Sequence, residues 1–477
     1  MESYQLAAEV VPSARQLEWQ KLEFYAFCHF GMNTFTDKEW GNGQTPPSLF
    51  DPKDFDADQW AKAIKSAGMR GLILTCKHHD GFCLWPSAYT EYSVKNSPFR
   101  GGNGDVVREV SEACRKNGLK FGVYLSPWDR HEPTYGQGEA YNTFYKNQLR
   151  ELLTNYGELF TIWLDGACGE GKNGKMQQYD WQGYYAVMRE LQPNAVIAIS
   201  GPDVRWIGNE AGVCRKSEWS VVPSWLAINE YVAERSQKTD DRKFAKKHNH
   251  MSLDLGSRKT IRNEKEFIWY PAEVDVSIRP GWFYHKNEDD KVKSLKKLFN
   301  IYLNSVGGNA SLLLNIPPDQ TGKIAMHDAM TLDAFGRMLK REFPQDLLEH
   351  AHACSTSETD PEHGAANVLR ADDSFWHAAE DDERPELVLD FGTETAFDSL
   401  ILQENIATGQ QIEAFDLYID RKNHWKKIGK YTVIGYKKIC RFRKAYHAKK
   451  IRIVIKQHRG KATMLRVFAY KREEFAE

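Results

Sequence analysis

Short and almost continuously apolar runs recur through the first 340 or so residues. Each is six or seven residues long, and they lie at 24–30, 71–76, 121–126, 160–165, 195–200 and 311–316. Parallel strands that are covered by helices on both faces have this pattern, because neither face of such a strand meets water. The runs therefore predict the strands of a parallel sheet.

Segments with helical patterning separate these runs. They lie at 55–67, 104–117, 139–156, 179–191 and 294–306. The first two have acidic residues near their start and end at Gly68 and Gly118, as helix caps and the helix dipole favour. The alternation predicts an α/β protein, and its count and length fit a (β/α)8-type (TIM-like) barrel better than a doubly wound sheet. No G-x-G-x-x-G follows the first strand, which argues against dinucleotide binding.

The pattern changes after Phe343-Pro344. Residues 350–386 are polar and acidic, and short segments of alternating polarity follow. Ile451-Arg-Ile-Val-Ile455 alternates with period two apart from Val454, as antiparallel strands with one solvated face do. We therefore predict a (β/α)8-like domain at 1–345 and a β-sandwich domain at 346–477.

Composition removes several classes of protein. The chain holds 14 Trp, 21 Tyr and 24 Phe among 477 residues, which is far too much aromatic surface for a disordered protein. No apolar run approaches the roughly 20 residues of a membrane span. The 64 Lys and Arg nearly balance the 65 Asp and Glu, so the chain has no electrostatic preference for nucleic acid or an anionic membrane.

The cysteines and the N-terminus leave the cellular compartment open. The eight cysteines form no C-x-x-C pair, which argues against structural zinc and favours reduced thiols. Met1-Glu-Ser-Tyr lacks the basic and apolar regions of a signal peptide. A cytoplasmic protein and an exported protein whose signal was removed both fit, and the oligomeric state is open.

The predicted strands end in chemistry-bearing side chains. The active site of a (β/α)8 barrel lies at the carboxyl ends of its strands. Aromatic rings stack on the apolar face of a sugar, while His, Glu and Arg bind its hydroxyls, so the set favours a carbohydrate ligand. The candidates, in chain order, are His29, Glu39, Trp40, His78, His79, Tyr124, Asp165, Arg205, Glu210 and Trp282.

Cleavage of a glycosidic bond requires two carboxyl groups. Asp165 is the candidate nucleophile, because it ends a buried strand and Gly166 leaves space beside it. Glu210 is the candidate acid/base, with Glu218 as its rival. The alternatives are a helix-capping Asp and a solvated loop Glu. A zinc site built from His29, His78 or His79, and Asp165 is a further alternative, but no H-x-H or H-E-x-x-H spacing supports it.

Four motifs resemble those of the retaining α-L-fucosidases of glycoside hydrolase family 29. They are His29-Phe-Gly31, Glu39-Trp40, the run from Lys77-His78-His79 to Trp85, and Trp163-Leu-Asp165-Gly166. The resemblance covers about residues 20 to 340. It implies that Asp165 is the nucleophile and that Arg205 contacts the reaction centre. It also implies that fucose is held by His29, Glu39, Trp40, His78, His79, Tyr124 and Trp282.

The resemblance extends to a subgroup. The stretch from Arg205 to Glu210, followed by Ser217 to Pro223, is similar to enzymes that cleave branched α1,3/4 linkages of the Lewis type, in which Glu210 would be the acid/base. The implied substrates are fucosylated oligosaccharides or glycoconjugates, with no metal or organic cofactor. The C-terminal domain resembles galactose-binding-like sandwiches. A fucose-binding protein without useful turnover and a metal-dependent barrel hydrolase remain the alternatives.

Overall fold

The computed structural model describes residues 1–235, 243–244, 249–422 and 424–473. Eight parallel strands form the first domain, in the spatial order β5-β4-β3-β2-β1-β10-β9-β6. A bridge between Ala198 and Val204 joins the two ends of this order, so the sheet is a nearly closed barrel. The strands are β1 Phe24–Cys28, β2 Gly71–Lys77, β3 Lys120–Leu125, β4 Thr161–Leu164, β5 Val196–Ile199, β6 Arg205–Trp206, β9 Ala272–Ser277 and β10 Ala310–Asn315.

Helices pack around this barrel and confirm the predicted (β/α)8-type architecture. Asp56 and Asp105 cap two of them by accepting backbone N–H bonds, and Gly118 ends one in the left-handed conformation. The helices are α1 Ser3–Ala8, α2 Ala14–Gln20, α3 Met32–Thr36, α4 Ala57–Ser66, α5 Val106–Asn117, α6 Glu139–Asn155, α7 Trp181–Leu191, α8 Asn229–Arg235, α9 Arg258–Ile261, α10 Leu295–Leu303 and α11 Met326–Glu342.

The barrel is irregular between β5 and β9. Residues 200–204 alone join β5 to β6, without a helix. The chain between β6 and β9 includes a small antiparallel pair, β7 Val221–Pro223 with β8 Phe267–Trp269. The described part of 207–271, which leaves out 236–242 and 245–248, thus forms a long excursion between β6 and β9 at one side of the barrel mouth.

An antiparallel β domain with its own apolar core follows α11. Its main sheet has the order β11-β13-β16-β14-β15, and β18 pairs with β13. This confirms the predicted antiparallel sandwich. Its strands are β11 His352–Ser355, β12 Trp376–His377, β13 Glu386–Gln403, β14 Ile412–Arg421, β15 His424–Tyr431, β16 Lys438–His458, β17 Thr463–Met464 and β18 Arg466–Tyr470. None of the described helices has the length and apolar character required to cross a membrane.

Candidate active site

The carboxyl ends of β1 to β4 bring most of the predicted side chains together. His29 follows β1, His78 and His79 follow β2, Tyr124 lies near the end of β3, and Asp165 follows β4. The rings of His29 and His78 are 5.8 Å apart, and each is about 6 Å from the ring of Tyr124. The expectation that the carboxyl ends of the strands share one face of the barrel therefore placed these residues together correctly.

Asp165 is positioned by two hydrogen bonds. Tyr124 Oη donates to Asp165 Oδ2 at 3.1 Å, and the Ala167 N–H donates to Oδ1 at 2.8 Å. Burial raises the pKa of Tyr124, so its hydroxyl keeps the proton that it donates. The Asp165 side chain is about one quarter exposed. A carboxylate is thus fixed at the strand end with one side open to a ligand.

His29 presents a hydrogen-bond acceptor to the site. Asn315 donates from Nδ2 to the Trp282 carbonyl at 2.8 Å, which orients its Oδ1 toward His29 Nδ1, also at 2.8 Å. Nδ1 therefore carries the proton and Nε2 the lone pair. Burial lowers the pKa of His29 to about 4, so the ring is neutral near pH 7.

The adjacent histidines present opposite groups. Asn33 Nδ2 donates to the Glu39 carbonyl and lies 3.3 Å from His78 Nδ1, so His78 carries its proton on Nε2. Ser126 donates to the Trp128 carbonyl and accepts from His79 Nδ1 at 2.7 Å. His79 Nε2 is then an acceptor, 3.8 Å from Asp165 Oδ2. Burial lowers the pKa of both rings. Neutral donors and acceptors of this kind suit sugar hydroxyls.

Glu39 holds the loop that carries Trp282. Its carboxylate accepts the N–H groups of Trp282 and Phe283 at 2.9 and 3.1 Å, and it lies 2.7 Å from His285 Nε2. Burial opposes the charge on His285, but hydrogen bonds to Asp37 and Glu39 outweigh it and raise the pKa of His285. The structure thus places Glu39 beside the site with much of its bonding capacity already used.

Two tryptophans lie beside the histidines of the site. The Trp282 ring is 5.1 Å from that of His29 and 6.5 Å from that of Phe27, on the floor of the barrel mouth. Trp40 is 60% exposed, and its ring stands edge-on to His79 at 5.9 Å. An indole that is this exposed offers a face for stacking on a sugar.

Glu210 lies on the excursion that follows β6. Gly208 has φ +101°, and a β-carbon there would meet the Met251 backbone at 3.0 Å. Asn209 is fully buried and accepts the N–H of Ala211 at 2.9 Å. These features fix the turn that presents Glu210, which is only partly buried.

Glu218, the rival carboxyl, lies inside a buried ion cluster. It is fully buried and is bonded to the guanidinium of Arg205 and to the backbone N–H of Arg215, the latter at 2.9 Å. Burial alone would raise the pKa of Glu218, but the two arginine charges outweigh it and hold that pKa below its usual value. Glu218 is therefore ionised and cannot start a reaction as an acid.

Arg205 belongs to the same cluster. Its guanidinium also donates to the carbonyls of Trp219 and Tyr270 at 2.8 and 2.9 Å, and the residue is 3% exposed. Arg215 donates to the carbonyl of Ile207, at the base of the Glu210 turn, at 3.0 Å. These contacts tie Arg205 and Arg215 to the loop that carries Glu210 and Glu218.

The second domain contacts the segment that carries Glu218. Gln410 accepts the Ser220 N–H at 2.7 Å and donates to the Glu218 carbonyl at 3.1 Å. The Arg459 guanidinium lies 3.7 Å from the centre of the Trp219 ring. Residues next to β14 and β16 of the second domain thus hold the segment 218–220 in place.

The inward face of β9 carries two acidic residues that the sequence patterns did not single out. Glu273 accepts from Tyr25 Oη and, at 2.7 Å, from Trp163 Nε1. Asp275 accepts from Trp206 Nε1 at 2.7 Å. The alternating polarity of Ala272-Glu-Val-Asp-Val-Ser277, which is typical of a strand with one polar face, is the sequence pattern that could have revealed them.

Among the described residues, no group of three or more His, Cys, Asp or Glu is arranged to hold a metal ion.

Two family models match the chain. The model described as "Alpha-L-fucosidase" matches residues 4–342, and that described as "F5/8 type C domain" matches residues 351–468. The two matches fall on the barrel and on the antiparallel domain.

Individual proteins match over nearly the whole chain. "Alpha-L-fucosidase 1" of Arabidopsis thaliana is 40% identical over 457 residues, which cover 94% of this chain and 85% of that protein. A solved glycoside hydrolase 29 family member from an unknown rumen bacterium is 39% identical, with TM-score 0.80, and covers 98% of this chain and 78% of that one. A Ruminococcus gnavus GH29 fucosidase in complex with fucose is 31% identical, with TM-score 0.84, and covers 98% and 96%.

Proposed function

Because the chain belongs to the α-L-fucosidases of glycoside hydrolase family 29, we propose that this enzyme works by double displacement, with Asp165 as nucleophile and Glu210 as acid/base. The observation that carries the proposal is the position of the Asp165 carboxylate. It accepts a hydrogen bond from the Tyr124 hydroxyl, lies next to neutral histidines, and is partly exposed. Such a carboxylate is free to attack the anomeric carbon of a bound fucose.

Glu210 then serves both half-reactions. It protonates the glycosidic oxygen as the bond to Asp165 forms, and it later removes a proton from the water that releases fucose. Two inversions at the same carbon give net retention. Glu218 is a poor alternative, because the arginines that surround it keep it ionised.

The remaining polar groups hold the sugar. His29 and His79 offer lone pairs, and His78 offers an N–H, so three hydroxyls can be bound without a net charge. Trp282 provides an apolar surface for the methyl group of fucose, and Trp40 stacks over the open side. Glu39 acts through the Trp282 loop that it holds.

The proposed substrate is terminal α-L-fucose linked α1,3 or α1,4 in branched Lewis-type glycans. Support comes from the stretch between Arg205 and Pro223, which is similar to the branched-linkage subgroup. In this structure that stretch forms the excursion beside the mouth, where a branching sugar would lie.

A proton NMR time course on two substrates tests linkage and stereochemistry together. The mixture contains a Lewis-type trisaccharide with α1,3/4-fucose and an α1,2-fucosyl lactose. We expect early release of α-fucose from the branched sugar alone. Early β-fucose would contradict double displacement, and release from the α1,2 sugar alone would contradict the proposed linkage.

Replacing Glu210 with alanine tests the acid/base. We expect kcat to fall by about 10²- to 10⁴-fold on natural linkages, whose leaving groups need a proton, and much less on a fucoside with an activated phenol. Rates on the two substrate types are measured side by side. Equal losses on both, or a silent Glu210→Ala combined with a selective loss in Glu218→Ala, would refute the assignment.

A further inference from the structure

A histidine of the loop after β9 connects that loop to the loop after α3. His285 Nδ1 lies 2.6 Å from Asp37 Oδ1, and its Nε2 lies 2.7 Å from Glu39 Oε1. The His285 side chain is 13% exposed, whereas those of Asp37 and Glu39 are 67% and 39% exposed. One mostly buried ring thus contacts two carboxylates that belong to a different loop.

The two contacts fix the charge of the His285 ring. A neutral imidazole has one N–H donor and one lone pair. A neutral His285 would therefore turn a lone pair toward one of the two carboxylate oxygens, and only the imidazolium donates to both at once. Burial lowers the pKa of His285, but the hydrogen bonds to Asp37 and Glu39 outweigh it and raise that pKa overall.

Glu39 links the His285 ring to the backbone beside the site. The oxygen that faces His285, Oε1, also accepts the N–H of Phe283 at 3.1 Å, and Oε2 accepts the N–H of Trp282 at 2.9 Å. Gly281 fits closely against the pair, because a β-carbon there would lie 2.8 Å from both Glu39 Oε1 and His285 Cδ2. The ring, the carboxylate and this backbone segment therefore pack as one unit.

The same backbone segment contacts two histidines of the site. The fully buried Phe283 ring stands edge-on to His29 at 5.4 Å and to His78 at 5.0 Å. Asn315 donates to the Trp282 carbonyl at 2.8 Å, and its Oδ1 lies 2.8 Å from His29 Nδ1. A displacement of the segment therefore moves the groups that are proposed to bind fucose.

We propose that His285 is a positioning residue for the bound sugar, because its imidazolium joins the two loops and so holds Trp282 and the site histidines in their binding positions. The inference rests on the proposed role of these residues in holding fucose, and His285 itself acts through Glu39. When the ring loses its proton, one of its two hydrogen bonds is lost and a lone pair faces a carboxylate. The two loops are then held less firmly, so the affinity for fucose falls as the pH rises.

Asp37 and Glu39 dominate the titration of His285, because other acidic groups nearby have partners of their own. Glu288 accepts the Gly281 N–H at 3.0 Å, and Asp289 is paired with Arg279 at 2.9 Å. The charged side chains of the surrounding loops are Asp37, Lys38 and Glu39 after α3, Arg279, Lys286, Glu288, Asp289, Asp290, Lys291 and Lys293 after β9, and Asp319 and Lys323 after β10.

The inhibition constant of L-fucose tests the proposal, measured with an aryl α-L-fucoside across the pH range in which histidines titrate. In the wild type we expect this constant to rise by at least about threefold toward high pH, the effect of one lost hydrogen bond, while kcat changes less. His285→Gln cannot titrate and supplies one donor group. Its inhibition constant should be raised about three- to tenfold at low pH and should no longer depend on pH in this range.

Asp37→Asn is the second test. The amide keeps an acceptor oxygen for His285 Nδ1, and asparagine tolerates the left-handed backbone of this position, where φ is 55°. The change removes a charge that favours the imidazolium, so the rise of the inhibition constant should move to lower pH. A substitution that only disturbed the fold would not shift this midpoint.

His363→Gln is the matched control. His363 lies 2.9 Å from Asp360 in the second domain, so this variant also removes a histidine that is paired with an aspartate. Its inhibition constant for L-fucose should follow the wild-type pH profile. Glu210→Ala should also retain the rise toward high pH, because Glu210 is not the group that titrates.

The outcomes separate this inference from the proposed function. A pH-independent constant in the wild type, a wild-type rise in His285→Gln, or the loss of the rise in Glu210→Ala would overturn the positioning role. If His285→Gln does not fold, an unshifted rise in Asp37→Asn overturns it. A failure of the acid/base assignment appears instead as equal losses of kcat on both leaving groups in Glu210→Ala, and it leaves the fucose profile as it is.

Discussion

Asp165→Ala is expected to lower kcat on an aryl α-L-fucoside by about 10⁴-fold or more, because in the proposed mechanism the covalent step loses its nucleophile. This loss of activity should come from the chemical step and not from a loss of stability. Asp165 makes few contacts and is partly exposed, so the barrel keeps its melting temperature within a few degrees. Kinetics and thermal unfolding of the same preparation check both parts.

Azide identifies the role of the missing group. In Asp165→Ala a small anion can enter the space beside Tyr124 and attack the anomeric carbon from the side that the carboxylate occupied. The product should then be β-L-fucosyl azide, with inverted configuration. Formation of the α-azide would instead assign the acid/base role to Asp165 and exchange the two carboxyl groups in the mechanism.

Asp165→Asn is the matched control for this experiment. It retains an oxygen for the Tyr124 hydroxyl and fills nearly the same volume, so any cavity effect of alanine is absent. We expect a loss of kcat similar to that of alanine but little azide product, because the amide still occupies the space. A variant with near wild-type activity would show that Asp165 only orients its neighbours.

Apolar runs predicted six of the eight barrel strands, and the reason the other two were missed is physical. Strand β6 has only two residues, which is too short for any period to show. Strand β9 alternates between outward Ala272, Val274 and Val276 and inward Glu273, Asp275 and Ser277. A strand whose inner face is polar has no continuous apolar run, and here that face supplies part of the barrel mouth.

The site was predictable where the strand ends carry it and not where distant segments meet. His29, His78, His79 and Asp165 each lie at or just beyond the end of an apolar run, so the geometry of parallel strands brings them together. Glu210 and Glu218 are both loop glutamates in polar sequence. What distinguishes them is burial and the approach of two arginines, and these depend on tertiary contacts that no local pattern records.

Glu218→Gln is expected to destabilise the barrel mouth by about 3–5 kcal/mol, the usual cost of removing one partner from a buried ion cluster. The residue is fully buried, and its charge is balanced by Arg205 and Arg215, which are themselves almost fully buried. Without it, two guanidinium groups remain in a site that water does not reach. Denaturant unfolding followed by tryptophan fluorescence measures the effect, since Trp219 is next in the chain.

Glu218→Gln should also lower catalysis, but with a different substrate dependence from that of Glu210→Ala. Arg215 bonds the carbonyl of Ile207, so loosening the cluster displaces the whole Glu210 turn. We expect losses of kcat that are similar for activated and natural leaving groups, together with a lowered melting temperature. A selective loss on natural linkages with unchanged stability would contradict this account and make Glu218 the acid/base.

Glu18→Gln provides the comparison on the surface. Glu18 lies 2.7 Å from Lys21, as short a contact as a buried ion pair makes, but both side chains are more than half exposed. Water and salt screen this pair, so its loss should change stability hardly at all. The contrast between the two glutamates measures how much more the buried cluster, which the second domain contacts through Gln410, contributes to stability than an exposed ion pair does.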